Sequence, residues 1–336
     1  MARKHTLFTA QFSDMPFEQL CALAERCGYD GLELATFGGF LEIEKAAEDP
    51  AYCTALLKKL AKFHLGLFAI SNHFAGQLVC DPNDDARSDA FAPPECAGNA
   101  EAKREWAVRN MKASAKAAAN LGVGVVTGFT GSPVWHLLYG FPPLTPATLE
   151  NGFRFFADQF HPILDEFAKY GVRFALEVHP TEIAFDLHTA RRALAALDYR
   201  PEFGFNFDPS HLFWQGIDPV KFIHAFPDRI CHCHIKDAAL QLDGENGILA
   251  SHLDFGDRRR GWDFRSPGHG RIDFESIIRA LNEIGYTGPL SVEWEDCGID
   301  REFGAADAAE FVRKLDFSPA QGLFDAAFRE AEPNAK

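Results

Sequence analysis

The chain has 336 residues, of which 47% are hydrophobic and 32 are Phe, with 33 basic and 48 acidic side chains and a formal charge of −15. The apolar fraction excludes an intrinsically disordered chain, and the acidity opposes a nucleic-acid binder, whose phosphate partner needs a basic footprint. No apolar run approaches the roughly 18–20 residues of a membrane-spanning helix.

In chain order, a strand-like run at Thr6–Phe12 leads into a helical one at Pro16–Cys27. Strand Gly31–Ala35 and helix Ala51–Phe63 follow, then strand Leu65–Ser71 and helix Glu101–Asn120. Next come strand Val123–Gly128 with helix Leu149–Tyr170, and strand Val172–Val178 with helix Thr189–Leu197. The series closes with Phe203–Asp208 and Pro219–Phe226, Ile230–Ile235 and Phe274–Ile284, and Pro289–Trp294 and Ala305–Leu315. Pro16 suits a first helical turn, and Gly28, Gly122, Gly171 and Gly285 sit where a helix hands over to a strand. The first residues, Met1 to His5, show no apolar run or small-residue cleavage site, so no secretory leader is expected.

Eight strand–helix units in series predict an α/β fold with a parallel sheet, and eight is the number that closes a (β/α)8 TIM barrel. A doubly wound open sheet is the competitor. It usually carries a Gly-rich first turn, and Gln11–Pro16 has none. We expect one domain over 1–336, with a C-terminal tail from about 317. Two connections are enlarged, Asn72–Asn99 after strand three and Ala238–Ile272 after strand seven. Both lie at the C-terminal mouth of a barrel, where long loops form lids, substrate walls or subunit contacts.

The eight cysteines (Cys21, Cys27, Cys53, Cys80, Cys96, Cys231, Cys233 and Cys297) form no CxxC pair. They read as reduced, buried packing residues of a cytoplasmic protein.

Acid–base and metal-ligating side chains cluster at the ends of strands five to eight. The runs are Glu177-Val178-His179-Pro180, Asn206-Phe207-Asp208-Pro209-Ser210-His211, His232-Cys233-His234-Ile235-Lys236-Asp237 and Ser291-Val292-Glu293-Trp294-Glu295. Alternation along a strand puts Glu177 and His179 on one face, Asp208 with Asn206, His234 with His232, and Glu293 with Ser291 and Glu295. Cys231 and Cys233 then face the other way, so the Cys-His-Cys-His run is a poor zinc site. An inward carboxylate must be neutralised. Three carboxylates and an imidazole suit one divalent cation, Mn²⁺, Mg²⁺ or Co²⁺, with Zn²⁺ also compatible.

These motifs resemble the xylose-isomerase-like TIM-barrel superfamily, in particular its sugar phosphate isomerase/epimerase type. The resemblance rests on Leu176–Pro180, Phe207–His211, His232–Asp237, Gly268-His269-Gly270 before Asp273-Phe274, and Gly285–Glu293, in family order over the C-terminal half. It implies one metal, Mn²⁺ first, held by Glu177, Asp208, His234 and Glu293. Glu177 and Glu293 would also move protons on opposite sugar faces, as in the related ketose 3-epimerases, and His211 would orient the substrate. His179 departs from that pattern and is closer to the metal-dependent subunit of C-glycoside deglycosidases. There it would serve as the general base of a lyase on 3-keto-glycosides, working with a small partner subunit. The other reading of His179 is a strand end held by one hydrogen bond.

Further substrate-binding candidates are His73, Lys236, Arg258 and His269. Lys236 and Asp237 either meet substrate or pair with each other. His252 and His269 lie on the seventh loop and are candidates to close over the site. Arg258-Arg259-Arg260 reads as an anion grip or as a solvated cluster. Trp214 and Trp262 read as pocket walls or core. The acidic Asp296–Arg301 stretch favours a non-phosphorylated sugar. The leading expectation is therefore a metal-dependent sugar isomerase or epimerase acting through an enediolate, and the alternative is the keto-glycoside lyase. An endonuclease IV-like nuclease is opposed by the charge, and a non-catalytic sugar-binding barrel by the ligand set. A small sugar or glycoside is the expected partner, with no nucleic acid and no membrane, and the resemblance implies a homo-oligomer.

Overall fold

A computed structural model describes residues 3–135, 142–249, 252–320 and 322. Eight parallel strands close into a barrel: β1 (His5–Phe8), β2 (Gly31–Ala35), β3 (Gly66–Ser71), β4 (Val125–Gly128), β5 (Arg173–Glu177), β6 (Phe203–Phe207), β7 (Ile230–Ile235) and β10 (Leu290–Val292). They neighbour one another in chain order, and β10 pairs with β1 to seal the ring. This is the expected (β/α)8 TIM barrel.

Among the described residues, two strands lie outside the barrel. The long excursion after β7 opens with an antiparallel ribbon, β8 (Asp237–Leu240) against β9 (Trp262–Arg265). The expected tail contributes only residues 317–320 and 322, and the rest of it lies outside the described residues.

Helices surround the strands. Most begin on a side chain that accepts an orphan backbone N–H, as Asp186 does from Thr189 in a full capping box. Gly122 (φ 73°) and Gly171 (φ 65°) end the two longest helices in the left-handed conformation that a side chain disfavours. Between barrel and helices lies a Phe-rich core that includes Phe156, Phe160, Phe167, Phe174, Phe203 and Phe205, all fully buried. Each such ring stabilises the fold by about 1.5–3 kcal/mol.

The structure differs from the expected elements in several places. β1 stops at Phe8, and a 3-10 turn (Ala10–Phe12) follows, because Thr9 bonds across to Glu33 and Ala35. The loop after β3 is not irregular throughout: His73–Cys80 is a helix with a mostly buried face. It packs so closely on the barrel that a Cβ on Gly76 would lie 2.1 Å from the Phe129 carbonyl oxygen. The helix after β4 starts at Pro146 rather than Leu149.

Candidate metal centre and its cavity

The ends of β5, β6, β7 and β10 deliver Glu177, Asp208, His234 and Glu293, all buried, with one ligand atom from each within 4.8 Å of the others. Strand register does this. Glu177 lies beside Asn206 across β5 and β6, and Ser291 lies beside His234 across β10 and β7. Glu293 follows two residues after Ser291, one layer nearer the mouth.

The donor set fits a divalent cation. Nδ1 of His234 is 2.6 Å from Glu293 Oε2 and 3.4 Å from Glu177 Oε2. Asp208 caps the helix Pro209–Phe213: its Oδ1 accepts from the Ser210 N–H and hydroxyl, each at 2.7 Å. Asp208 Oδ2 and Glu293 Oε2 are buried, and the ring nitrogens that approach them, His211 Nε2 at 3.4 Å and His234 Nδ1 at 2.6 Å, make no hydrogen bond to them. Buried acceptors of this kind are costly unless something positive meets them. Oxygen ligands with one imidazole suit Mn²⁺, Mg²⁺ or Zn²⁺.

Neighbouring side chains hold these ligands. His211 Nε2 sits 3.1 Å from Glu177 Oε1 and 3.4 Å from Asp208 Oδ2. His73 places Nε2 3.1 Å from Glu177 Oε2, with its Nδ1 2.6 Å from the Ser71 hydroxyl. Lys236 donates to Glu293 Oε1 at 2.9 Å and lies 3.3 Å from Glu295. Burial would raise Glu293, but the Lys236 and His234 charges outweigh it and bring its carboxyl down to about 2. Burial raises Asp208, against the pull of His211 and Lys236.

A cavity of about 370 Å³ opens above this floor. His73, Glu177, His179, His211, Lys236, Glu293, Glu295 and Gln11 form its polar lining. Phe8, Phe37, Phe74, Phe129, Phe255 and Phe264 supply the hydrocarbon. His179 lines the wall with Nδ1 on the Pro180 carbonyl at 2.5 Å and its ring edge-on to His211 at 4.2 Å. Burial and the His211 charge lower its pKa to about 3. Its turn is strained: Thr181 has φ 83°, an outlier for a β-branched residue.

Several sequence candidates lie elsewhere. Arg258 and His269 line a different cavity, beside Asp296 and Cys297, and His269 pairs with Asp307 at 2.8 Å. Lys236 does not pair with Asp237. Asp237 instead accepts backbone N–H groups from Gly268 and Gly270 and so organises that turn. Arg259 pairs with Asp257, and Arg260 packs its guanidinium over Phe255 and Trp262, which leaves no triple-Arg grip. His252 is exposed. Trp214 and Trp262 stack at 4.4 Å behind Phe264.

Glu33 was missed from the sequence. It is fully buried on β2, and its Oε2 lies 2.8 Å from His232 Nε2 and 3.0 Å from His234 Nε2. The available signal was a lone carboxylate in the otherwise apolar Gly-Leu-Glu-Leu-Ala strand. Gln11 and Glu295 were also passed over as site residues. The 3-10 turn after β1 brings the Gln11 amide to Glu295 at 2.9 Å.

Fold and ligand set together define a (β/α)8 barrel with a candidate cation site at its C-terminal mouth. The sequence matches the xylose isomerase-like TIM barrel family over residues 21–315, and the chain belongs to that family. Among curated proteins it is 29% identical over 149 residues to YfiH of Bacillus subtilis, covering 42% of this chain and 46% of that one. It is 39% identical over 89 residues to an inosose dehydratase of Lacticaseibacillus casei, covering 26% and 29%. The chain thus spans less than half the length of these relatives. Among solved structures, 3-keto-D-glucoside 4-epimerase YcjR from E. coli superposes with TM-score 0.65 at 15% identity, covering 93% of this chain and 99% of that one. IolI with a bound zinc atom gives 0.59 at 19%, covering 93% and 96%. At these identities the structural likeness shows the fold alone.

Proposed function

We propose that this chain is a divalent-metal-dependent sugar isomerase or epimerase that removes the proton next to a carbonyl and works through an enediolate. The observation that carries this reading is the convergence of Glu177, Asp208, His234 and Glu293 within 4.8 Å, with Glu177 and Glu293 lining an open cavity at the barrel mouth. These four residues would hold the cation, Mn²⁺ by preference, and the zinc of the IolI structure supports Zn²⁺ as a competitor. A bound divalent ion supplies Lewis acidity that acidifies a C–H beside a carbonyl.

The chain's own residues do the rest. Glu177 and Glu293 reach the mouth from strands separated by β6 and β7, and by the resemblance to ketose 3-epimerases they would meet opposite faces of the substrate. One takes the proton and the other returns it on the opposite face. His73 and His211 orient Glu177, and Lys236 keeps Glu293 ionised. The Phe lining would put hydrocarbon beside the enediolate. The test is incubation of Mn²⁺-loaded protein with ketoses in heavy water. Deuterium at the carbon beside the carbonyl is expected, and its absence across a ketose panel overturns the reading.

A second reading is a lyase acting on 3-keto-glycosides, with His179 as general base. The position of His179 on the cavity wall favours it, as do Phe37, Phe74 and Phe255, which present hydrocarbon suited to an aglycone. Aglycone release by wild type and its loss in His179→Ala support this reading. Equal release by both rejects it. Size-exclusion chromatography, with and without co-expressed proteins, checks the expected homo-oligomer and small partner subunit.

A further inference from the structure

We propose that Glu33 is a positioning residue that fixes His234 as the Nε2–H tautomer, so that its Nδ1 lone pair faces the cation. The inference rests on the metal-dependent reading above.

His234 has a different environment at each ring nitrogen. Nδ1 faces the ligand carboxylates, with Glu293 Oε2 at 2.6 Å and Glu177 Oε2 at 3.4 Å. Nε2 faces Glu33 Oε2 at 3.0 Å, away from the mouth. An ionised carboxylate only accepts, so a hydrogen bond here requires the proton on Nε2. A ligating imidazole needs its other nitrogen held in this way, which orients the ring and raises its basicity. Asn206 does not decide the tautomer, because its Nδ2 lies 3.2 Å from Nδ1 and 3.3 Å from Nε2.

Glu33 is itself over-determined. Its Oε2 also meets His232 Nε2 at 2.8 Å and the Ser291 hydroxyl at 2.7 Å, and its Oε1 accepts from the Thr127 hydroxyl at 2.6 Å. These partners come from β4, β7 and β10, across the barrel interior from β2. Glu33, His232, His234, Thr127 and Ser291 are all at 0% exposure, so water has no access to replace a lost bond. His232 Nδ1 has no partner, so its hydrogen bond to Glu33 runs through Nε2. Phe8 stacks on the His234 ring at 5.2 Å and limits its rotation.

Two measurements test this. Calorimetric titration with Mn²⁺ compares metal-free wild type, Glu33→Gln and Asp208→Asn. A long-range ¹H–¹⁵N NMR spectrum of the Zn²⁺-loaded wild type reads which His234 nitrogen carries the proton. We expect about 10–100-fold weaker Mn²⁺ binding in Glu33→Gln and an Nε2–H signal for His234. Unchanged affinity in folded Glu33→Gln, beside lost binding in Asp208→Asn, overturns the role of Glu33 and leaves the metal reading standing. Failure of the wild type to bind Mn²⁺ overturns both. If Glu33→Gln does not fold, the wild-type spectrum decides, and an Nδ1–H signal on His234 rejects the inference.

Discussion

Lys236 Nζ lies 2.9 Å from Glu293 Oε1 and 3.3 Å from Glu295 Oε1, and 4.2 Å from the centre of the Phe264 ring. One buried ammonium therefore serves two carboxylates. Burial alone would lower the Lys236 pKa, but Glu293 and Glu295 hold it well above the ordinary value. Lys236→Met leaves Glu293 with a weaker hold on its charge and its geometry. Turnover is expected to fall about 10²–10⁴-fold while metal analysis still finds one ion per chain. Steady-state kinetics at saturating Mn²⁺ checks the first part, and unchanged turnover refutes it.

Chelation separates a held cation from a set of carboxylates that merely share a floor. Glu177, Asp208 and Glu293 share one buried place, where like charges repel one another. A chelator is expected to abolish activity and lower the melting temperature. Mn²⁺ at about 100 times its Kd should restore about 2.7 kcal/mol of stability. Differential scanning calorimetry with and without chelator reads this, and a melting temperature indifferent to both additions counts against a bound ion.

The chain ends of the barrel are clasped by Arg3 and Asp316. Their side chains, 6% and 3% exposed, meet at 2.5 Å, and Arg3 also donates to Asn282 at 2.6 Å and to the Tyr286 carbonyl at 3.0 Å. Burial would raise Asp316, but bonds from His5 and Arg3 prevail and hold it below the ordinary aspartate value. Its stabilisation is present above the unfolded value of 3.8 and is lost as pH falls through the lower folded one. Asp316→Asn is expected to destabilise the fold by about 3–5 kcal/mol at neutral pH. Urea melts should show that difference shrinking in acid.

Glu182 has the opposite sign. Its Oε2 accepts from the Thr130 and Gly131 N–H groups at 2.8 and 2.6 Å, while Oε1 is buried without a partner. Burial and the Asp81 charge raise its pKa from 4.5 to about 8. Within that window the folded protein keeps a proton that the unfolded chain has released. Stability should then fall as pH rises from 4.5 to about 8 and level off above it. Glu182→Gln should flatten this dependence, as thermal melts across the range would show.

Much of the candidate site was legible because its signals are local. Glu177, Asp208, His234 and Glu293 each stand at a strand end with inward parity, and the structure places the four together. His73, His211 and Lys236 also line the cavity. Arg258 and His269 do not, because their positions depend on how the excursion after β7 folds. The β8–β9 ribbon and the Asp237 bonds to Gly268 and Gly270 turn that segment toward Asp296 and Asp307.

The sequence by itself determined the eightfold strand–helix rhythm, since alternation and helical periodicity are written in neighbouring residues. It also placed Glu, Asp and His side chains at the ends of strands five to eight, with the parity that turns them into the barrel. Tertiary structure alone decided that Glu33 lies under His234, 201 positions apart in the chain, because closing the barrel brings β2 opposite β7. It likewise decided that Gln11 meets Glu295 and that Arg3 clasps Asp316. Contacts across a closed sheet follow from strand stagger and side-chain packing, which no local pattern encodes.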